Sequence, residues 1–326
     1  MRYQEELIER LAQHRRAQLG NLSEHAYEEL VLAVRRDPQA FLVDDSDRAY
    51  ERLGKALAAN ELSQAEEEFL DDAAYEASRK RRLQKLREGC VAALAMSEEC
   101  LDARTIQVML ENENPDAALV ALEALAHEEG LLGDADATAA PCPGNAWDDV
   151  FARPRLRLLS AIARARLDTA RYKAAIATCE KLVELDSLDH LGARYTWAIA
   201  LARLEDEKGL DALDAKFGRA GNAWIHLART LLMFKLDRMP AARRALRGYA
   251  SLCEGGAYAL LRPTFIDGYL PDRPAFTAGS FEEAALAVHE CDAVVMDTPD
   301  FIGWATAQDG FSAQAEKFAR DHDLDW

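Results

Sequence analysis

Seven histidines and six cysteines are the side chains of this sequence best suited to metal binding or nucleophilic attack, and their spacing organises neither. The histidines stand at 14, 25, 127, 190, 226, 289 and 322, with no HExxH pair and no triad motif around any of them. His289, Cys291, Asp297 and Asp300 come nearest to a ligand set. Residues two apart on a helix diverge, however, so a solvated acidic face is the better reading. The cysteines, at 90, 100, 142, 179, 253 and 291, form no CxxC pair and no disulfide framework. Free, buried thiols and a cytoplasmic location follow. No glycine-rich loop precedes a helix to cradle phosphate. The chain therefore reads as non-catalytic, with no cofactor and no metal.

Charge is the remaining chemical signal. The net charge of −18 excludes nucleic acid as a main partner, because phosphate binding needs a basic footprint. The stretch 151–181 runs against that balance, with eight bases and two acids. Crowded guanidinium groups repel one another, and a carboxylate-bearing ligand would relieve that repulsion through planar, bidentate contacts. The competing reading is that these arginines pair with the protein's own surplus carboxylates or lay their stems along apolar surface. A second polarised block lies earlier. Residues 61–78 carry seven carboxylates and no base, and 79–87, RKRRLQKLR, carry six bases. Ser63 with Glu66 reads as a capping box opening one helix over 63–97, on which acid first and base later complement the dipole. A basic docking patch at 79–87 is the alternative.

The elements that carry the arginines are amphipathic helices. In Arg153–Leu185, Leu156, Leu159, Ile162, Ala163 and Leu167 share one face. After a turn at 168–170, so do Tyr172, Ala175, Ile176, Cys179, Leu182 and Val183. Two helices joined so closely cannot bury both faces alone and need neighbours. The neighbours recur: Ala175, Gly209 and Ala242 are small residues about one repeat apart, and Cys179, Leu213 and Leu246 follow in step. Small residues there let two helices approach closely.

With ARYKAAIATCEKLVEL as its second helix and Ala163 in its first, this pattern resembles the tetratricopeptide repeat (TPR) superfamily. Ser187 stands where proline is usual. A narrower resemblance rests on Trp147, Arg153-Pro154, Tyr172-Lys173-Ala174-Ala175 and Asp189-His190-Leu191-Gly192-Ala193-Arg194-Tyr195. This run is similar to bacterial TPR proteins related to the suppression-of-tumorigenicity family of animals. The resemblance implies an all-α superhelix, a TPR-like solenoid, acting as an interaction protein without established catalytic residues. It also implies that the first helix of each pair lines a concave groove. In that register the partner-binding residues are Arg157, Ser160 and Arg164, followed by Leu191, Arg194 and Ala198, with Leu167 and Leu201 beside them. The carboxylate clamp of some members needs Lys and Asn where this chain has Ser160 and Arg164, so that specificity is not implied.

Around this centre, residues 1–80 read as an N-terminal helical region or cap, with helices at 2–19, 24–36 and 46–58. Ser23 and Ser46 read as caps, and Asp37-Pro38 and Gly54 as breakers. Residues 81–252 read as the repeats, interrupted by a small-residue loop at 130–146 that is the expected site of disorder. Residues 253–326 read as a loop-rich segment followed by C-terminal helices, the first capped by Ser280 and the next starting at Thr298-Pro299. The groove positions of the third pair, Trp224, Leu227, Leu231 and Phe234, are all apolar. They are expected to be covered by Tyr258, Phe265, Tyr269 and Phe276, or else to form an apolar ligand groove. No run of about 18 uncharged apolar residues exists, and the start lacks a signal-peptide core, so no membrane association is expected. The function expected is a scaffold binding a protein or peptide, acidic in character, through its concave groove. The alternative is a peptide- or small-molecule-responsive sensor with a closed pocket.

Overall fold

The computed structural model describes residues 2–67, 70–112, 114–132, 144–268 and 270–326. Among these residues it contains sixteen α-helices and no strand, which makes the protein all-α. Among them, too, no helix is long and apolar enough to cross a membrane. Most of the expected loop at 130–146, together with Cys142 and Tyr269, lies outside the described residues. The chain divides into two compact units, Met1–Ala161 and Ile162–Trp326, and the division falls within a single helix, α7 (Arg153–Asp168).

The first unit contains α1 (Arg2–Leu19), α2 (Glu24–Arg36), α3 (Asp45–Glu66), α4 (Asp72–Leu94), α5 (Leu101–Glu111) and α6 (Pro115–Glu128). Ser23 caps α2 by accepting from the Ala26 amide, as its type predicts. Three local expectations are corrected. Asp44, not Ser46, caps α3, because its carboxylate accepts from the Asp47 amide while the Ser46 hydroxyl accepts from Arg10. Gly54 does not break α3; it lies inside the helix, where its bare Cα faces Tyr3. The helix expected over 63–97 is two helices, and Ser63 is interior to the first. Asp71 caps the second, and the reversal between them brings Arg82 onto Glu67 at 3.0 Å with both side chains buried. One acid of the first block and one base of the second therefore pair across two helices rather than along one rod. Arg82 also donates to Asn60, and Arg87 to the Leu110 carbonyl, which takes both out of any basic patch.

The second unit continues through α8 (Tyr172–Leu185), α9 (Ala193–Arg203), α10 (Glu207–Lys216), α11 (Ala223–Lys235) and α12 (Met239–Leu252). Neighbours in sequence pack together: α8 on α9, α9 on α10 and α11, and α11 on α12. One of the periodic small residues, Gly209, does sit at a close helix approach. A Cβ on Gly209 would lie 2.6 Å from a methyl of Leu201, so α10 can lie on α9 only without one. Leu213 and Leu246, four residues beyond two of these positions, are buried. The turns repeat as well. After α7, α9 and α11 the chain reverses through a left-handed residue, Ala170, Glu205 and Asp237, with φ of 60°, 57° and 55°. Each reversal is closed by the same six-to-one hydrogen bond: Arg171 to Arg166, Asp206 to Leu201 and Arg238 to Met233, at 2.7, 3.0 and 2.8 Å.

Beyond α12 come α13 (Gly256–Leu261), an irregular segment, α14 (Phe281–Met296), α15 (Phe301–Thr306) and α16 (Phe311–Asp321). Ser280 caps α14, and Glu283 reaches back to the Gly279 amide at 2.7 Å and to the Ala223 amide at 2.8 Å. The expected start at Thr298-Pro299 is displaced to Phe301, with Asp300 at the cap position in left-handed backbone.

Candidate functional site

The arginines of α7 were the first candidates, and in the first unit their partners are internal. Arg153 and Arg157 stand one helical turn apart. Arg157 is 1 % exposed and forks onto two carboxylates. Its Nη1 and Nη2 donate to Glu6 at 3.0 and 2.6 Å, and its Nε and Nη2 donate to Asp102 at 2.9 and 2.6 Å. The Tyr3 ring lies 5.5 Å from the guanidinium carbon, and Arg153 pairs with Glu9 at 2.6 Å. Burial alone would raise the Glu6 carboxyl, but Arg157, Tyr50 and Arg153 outweigh it and hold the group below its ordinary value. Ser160 is also buried. Arg157 and Ser160 thus leave the predicted groove and become core. The reading in which these arginines pair with the protein's own carboxylates is the one the geometry realises.

In the second unit the predicted groove residues meet another stretch of the same chain. Arg164 donates to the Pro271 carbonyl. Two residues on, Arg273 is buried and every nitrogen of its guanidinium is engaged. Nη1 donates to the carbonyls of Leu191 and Gly192 at 2.6 and 2.9 Å, Nη2 to the Thr196 hydroxyl at 2.7 Å, and Nε to Glu290 at 2.6 Å. The second Glu290 oxygen accepts from Trp224 Nε1 at 2.8 Å. Phe276 then packs on Trp224, ring centres 5.3 Å apart, and Trp224 stacks on Tyr195 at 4.0 Å. Leu191 and Ala198 are buried, and Arg194 lies between the rings of Tyr195 and Phe217 while bonding the Tyr195 hydroxyl. Asp189 accepts from the Ala193 and Arg194 amides at the start of α9, at 2.6 and 3.1 Å. Its carboxyl is pushed up to about 6 because burial outweighs those bonds and the nearby arginines.

The apolar row of α11 is closed, though not by all the expected residues. Phe276 covers Trp224, whereas Phe301 and Trp304 cover Phe234, with the inner face of α14 between them. Tyr258 instead packs on Phe281, Phe318 and Trp326, and Phe265 is 73 % exposed. Residues 281–304 supply most of the cover, because a helix satisfies its own backbone while it buries apolar surface.

An open groove occurs where the sequence reading placed no site, between α5 and α6 in the first unit. Its volume is about 420 Å³, and Leu94, Val108, Ala121, Ala124 and Leu125 form its floor. Glu98, Glu111, Glu128 and Arg104 stand around the rim. Arg104 pairs with Glu128 and, at 3.1 Å, with Glu129. That contact joins the start of α5 to the end of α6, so the two helices fold back on each other. Asn114 caps α6 by accepting from the Asp116 amide at 2.9 Å. The overlooked signal was α6 itself, PDAALVALEALAHE, apolar over most of its circumference although it is partly exposed. Val120, 64 % exposed, stands one turn before Ala124.

Metal chemistry gains little. His289, Cys291, Asp297 and Asp300 do not converge: Cys291 is buried in the core, and Asp297 pairs with Arg203. His14, Asp44 and Asp47 do lie together. Asp47 is nonetheless saturated by His14 Nδ1 at 3.0 Å, the Val43 amide at 3.3 Å and Arg10 at 3.4 Å, and Asp44 caps α3. An arginine and the positive end of a helix both oppose a cation there. The five described cysteines are all buried, and burial pushes the thiols of Cys90 and Cys100 up to about 12 and about 11. No protein-family model, no curated protein and no solved structure matches this chain.

Proposed function

We propose that the chain is a non-catalytic, TPR-like helical-repeat scaffold that binds a protein or peptide partner. The observation carrying this reading is the seating of residues 270–276 in the second unit. There α7, α9 and α11 hold a stretch of polypeptide outside any helix by one backbone carbonyl, one arginine and one aromatic ring. Paired helices that hold such a stretch in cis have the chemistry to hold one in trans. The repeated reversals at Ala170, Glu205 and Asp237 support the solenoid part of the reading. Because Arg157 and Arg164 already have partners within the chain, the expected acidic ligand loses its two main anchors.

The test is to pan a peptide-display library against the intact chain and to measure enriched sequences by fluorescence anisotropy. A shared motif binding with a Kd below about 100 μM supports the scaffold. A library that shows no enrichment over its unselected starting pool removes it.

A further inference from the structure

We infer that the groove between α5 and α6 docks a basic amphipathic helix. The inference deepens the scaffold reading and rests on it.

The floor decides the shape of the ligand. Leu94, Val108, Ala121, Ala124 and Leu125 offer apolar side chains and no backbone ladder. The polar groups beside them are engaged within the chain: Gln107 donates to Glu111 and Asn112 to the Val108 carbonyl, each at 2.8 Å. An extended peptide laid there would leave its own amides and carbonyls unsatisfied. A helix satisfies its backbone internally and presents one apolar stripe, which is what such a groove accepts. The floor follows the 11 residues of α5, so a ligand of about three turns fills it.

The rim decides the charge. Three carboxylates, Glu98, Glu111 and Glu128, line the groove with one guanidinium, Arg104, which pairs with Glu128 and Glu129 and leaves the rim acidic. Glu111 ends α5, Glu128 ends α6, and Glu98 follows the end of α4 at Leu94. Each therefore adds to the partial negative charge of a helix carboxyl terminus, where an acid is locally unfavourable. Because α5 and α6 fold back on each other, Glu111 marks one end of the groove and Glu98 with Glu128 the other. A helix with an apolar stripe and a lysine or arginine near each end complements both features.

The probe is a fluorescein-labelled peptide of about 14 residues with leucines on one stripe and lysines at both ends, titrated against the intact chain by anisotropy. Binding should weaken with added salt and fall at least about tenfold on Glu98→Lys/Glu111→Lys. It should return on that variant when the lysines of the probe are exchanged for glutamates. Ala124→Arg fills the floor from an exposed position, and it should abolish binding while leaving the circular dichroism and Tm at wild-type values. The inference fails if a stripe-scrambled probe binds equally well, or if neither variant alters affinity. It fails too if concentration-dependent self-association, lost in Ala124→Arg, shows a second copy closing the groove. A display motif whose binding survives Ala124→Arg sinks this inference alone, whereas an unenriched library sinks the scaffold reading.

Discussion

Two faces of this molecule are built from paired helices and have opposite fates. In the second unit, the face of α9 and α11 is filled by residues 270–276, held through Arg273, the Pro271 carbonyl and Phe276. In the first, among the described residues, the groove of α5 and α6 stays open over about 420 Å³. The difference lies in what each wall can do for a polypeptide backbone. Arg164 and the carbonyls of Leu191 and Gly192, which lie ahead of α9, give a non-helical stretch somewhere to bond. The α5–α6 floor gives it nothing, and suits only a ligand already satisfied internally.

The largest effect should come from the buried charges within the first unit. Arg157→Ala removes the cation that buried Glu6 and Asp102 share, leaving Arg153 at 3.6 Å from Glu6, and should cost about 3–5 kcal/mol in urea denaturation. Replacing Arg157, Glu6 and Asp102 together by apolar residues of similar volume should recover most of that loss. If the single variant is neutral, these charges do not hold the unit together. Next is Arg273→Ala, which takes one donor from Glu290, leaving Trp224 Nε1 on it, and removes the guanidinium from the Leu191 and Gly192 carbonyls. It should cost about 2–3 kcal/mol, with faster amide exchange in 270–276 and a shifted Trp224 emission. Unchanged exchange there would mean that the seat does not depend on this anchor.

Acidification separates the units by sign. Glu6 lies below its ordinary value when folded, so the stability it contributes is present at neutral pH and is lost as pH falls through its folded value, below the unfolded carboxylate range. Asp189, pushed up to about 6, behaves oppositely: its buried charge opposes folding at pH 7, and protonation relieves that as pH falls toward 5. Relative to wild type, Asp189→Asn should therefore lose about 1 kcal/mol between pH 7 and pH 5. A wild-type-to-variant gap that does not change with pH removes the assignment. The smallest effect belongs to the reversals. Ala170→Gly relieves a left-handed Cβ at the cost of unfolded-chain entropy, and should raise stability by a few tenths of a kcal/mol, read as Tm.

The helices from α7 to α12 were legible because periodicity and small residues act within one turn or one neighbouring pair. The site was less so. Arg157 reads as a groove residue in any local register, and contact with Glu6 and Asp102, both far away in sequence, makes it core. The break between α3 and α4 hid for the same reason, since Arg82 and Glu67 meet only after the chain has reversed. Cover over Trp224 and Phe234 was foreseeable from their exposure as an apolar row, but Phe301 and Trp304 compete for that surface as well as Phe276 does. The open groove is marked in the sequence by the apolar composition of α6 rather than by any charged motif.

The matching corners after α7, α9 and α11 have one more consequence. A block from Arg171 to Glu205, or from Asp206 to Asp237, begins just past a left-handed residue and ends on one. Duplicated in tandem, such a cassette meets its copy at a junction of the same backbone shape, so gene duplication can lengthen or shorten this part of the protein without inventing a new bend.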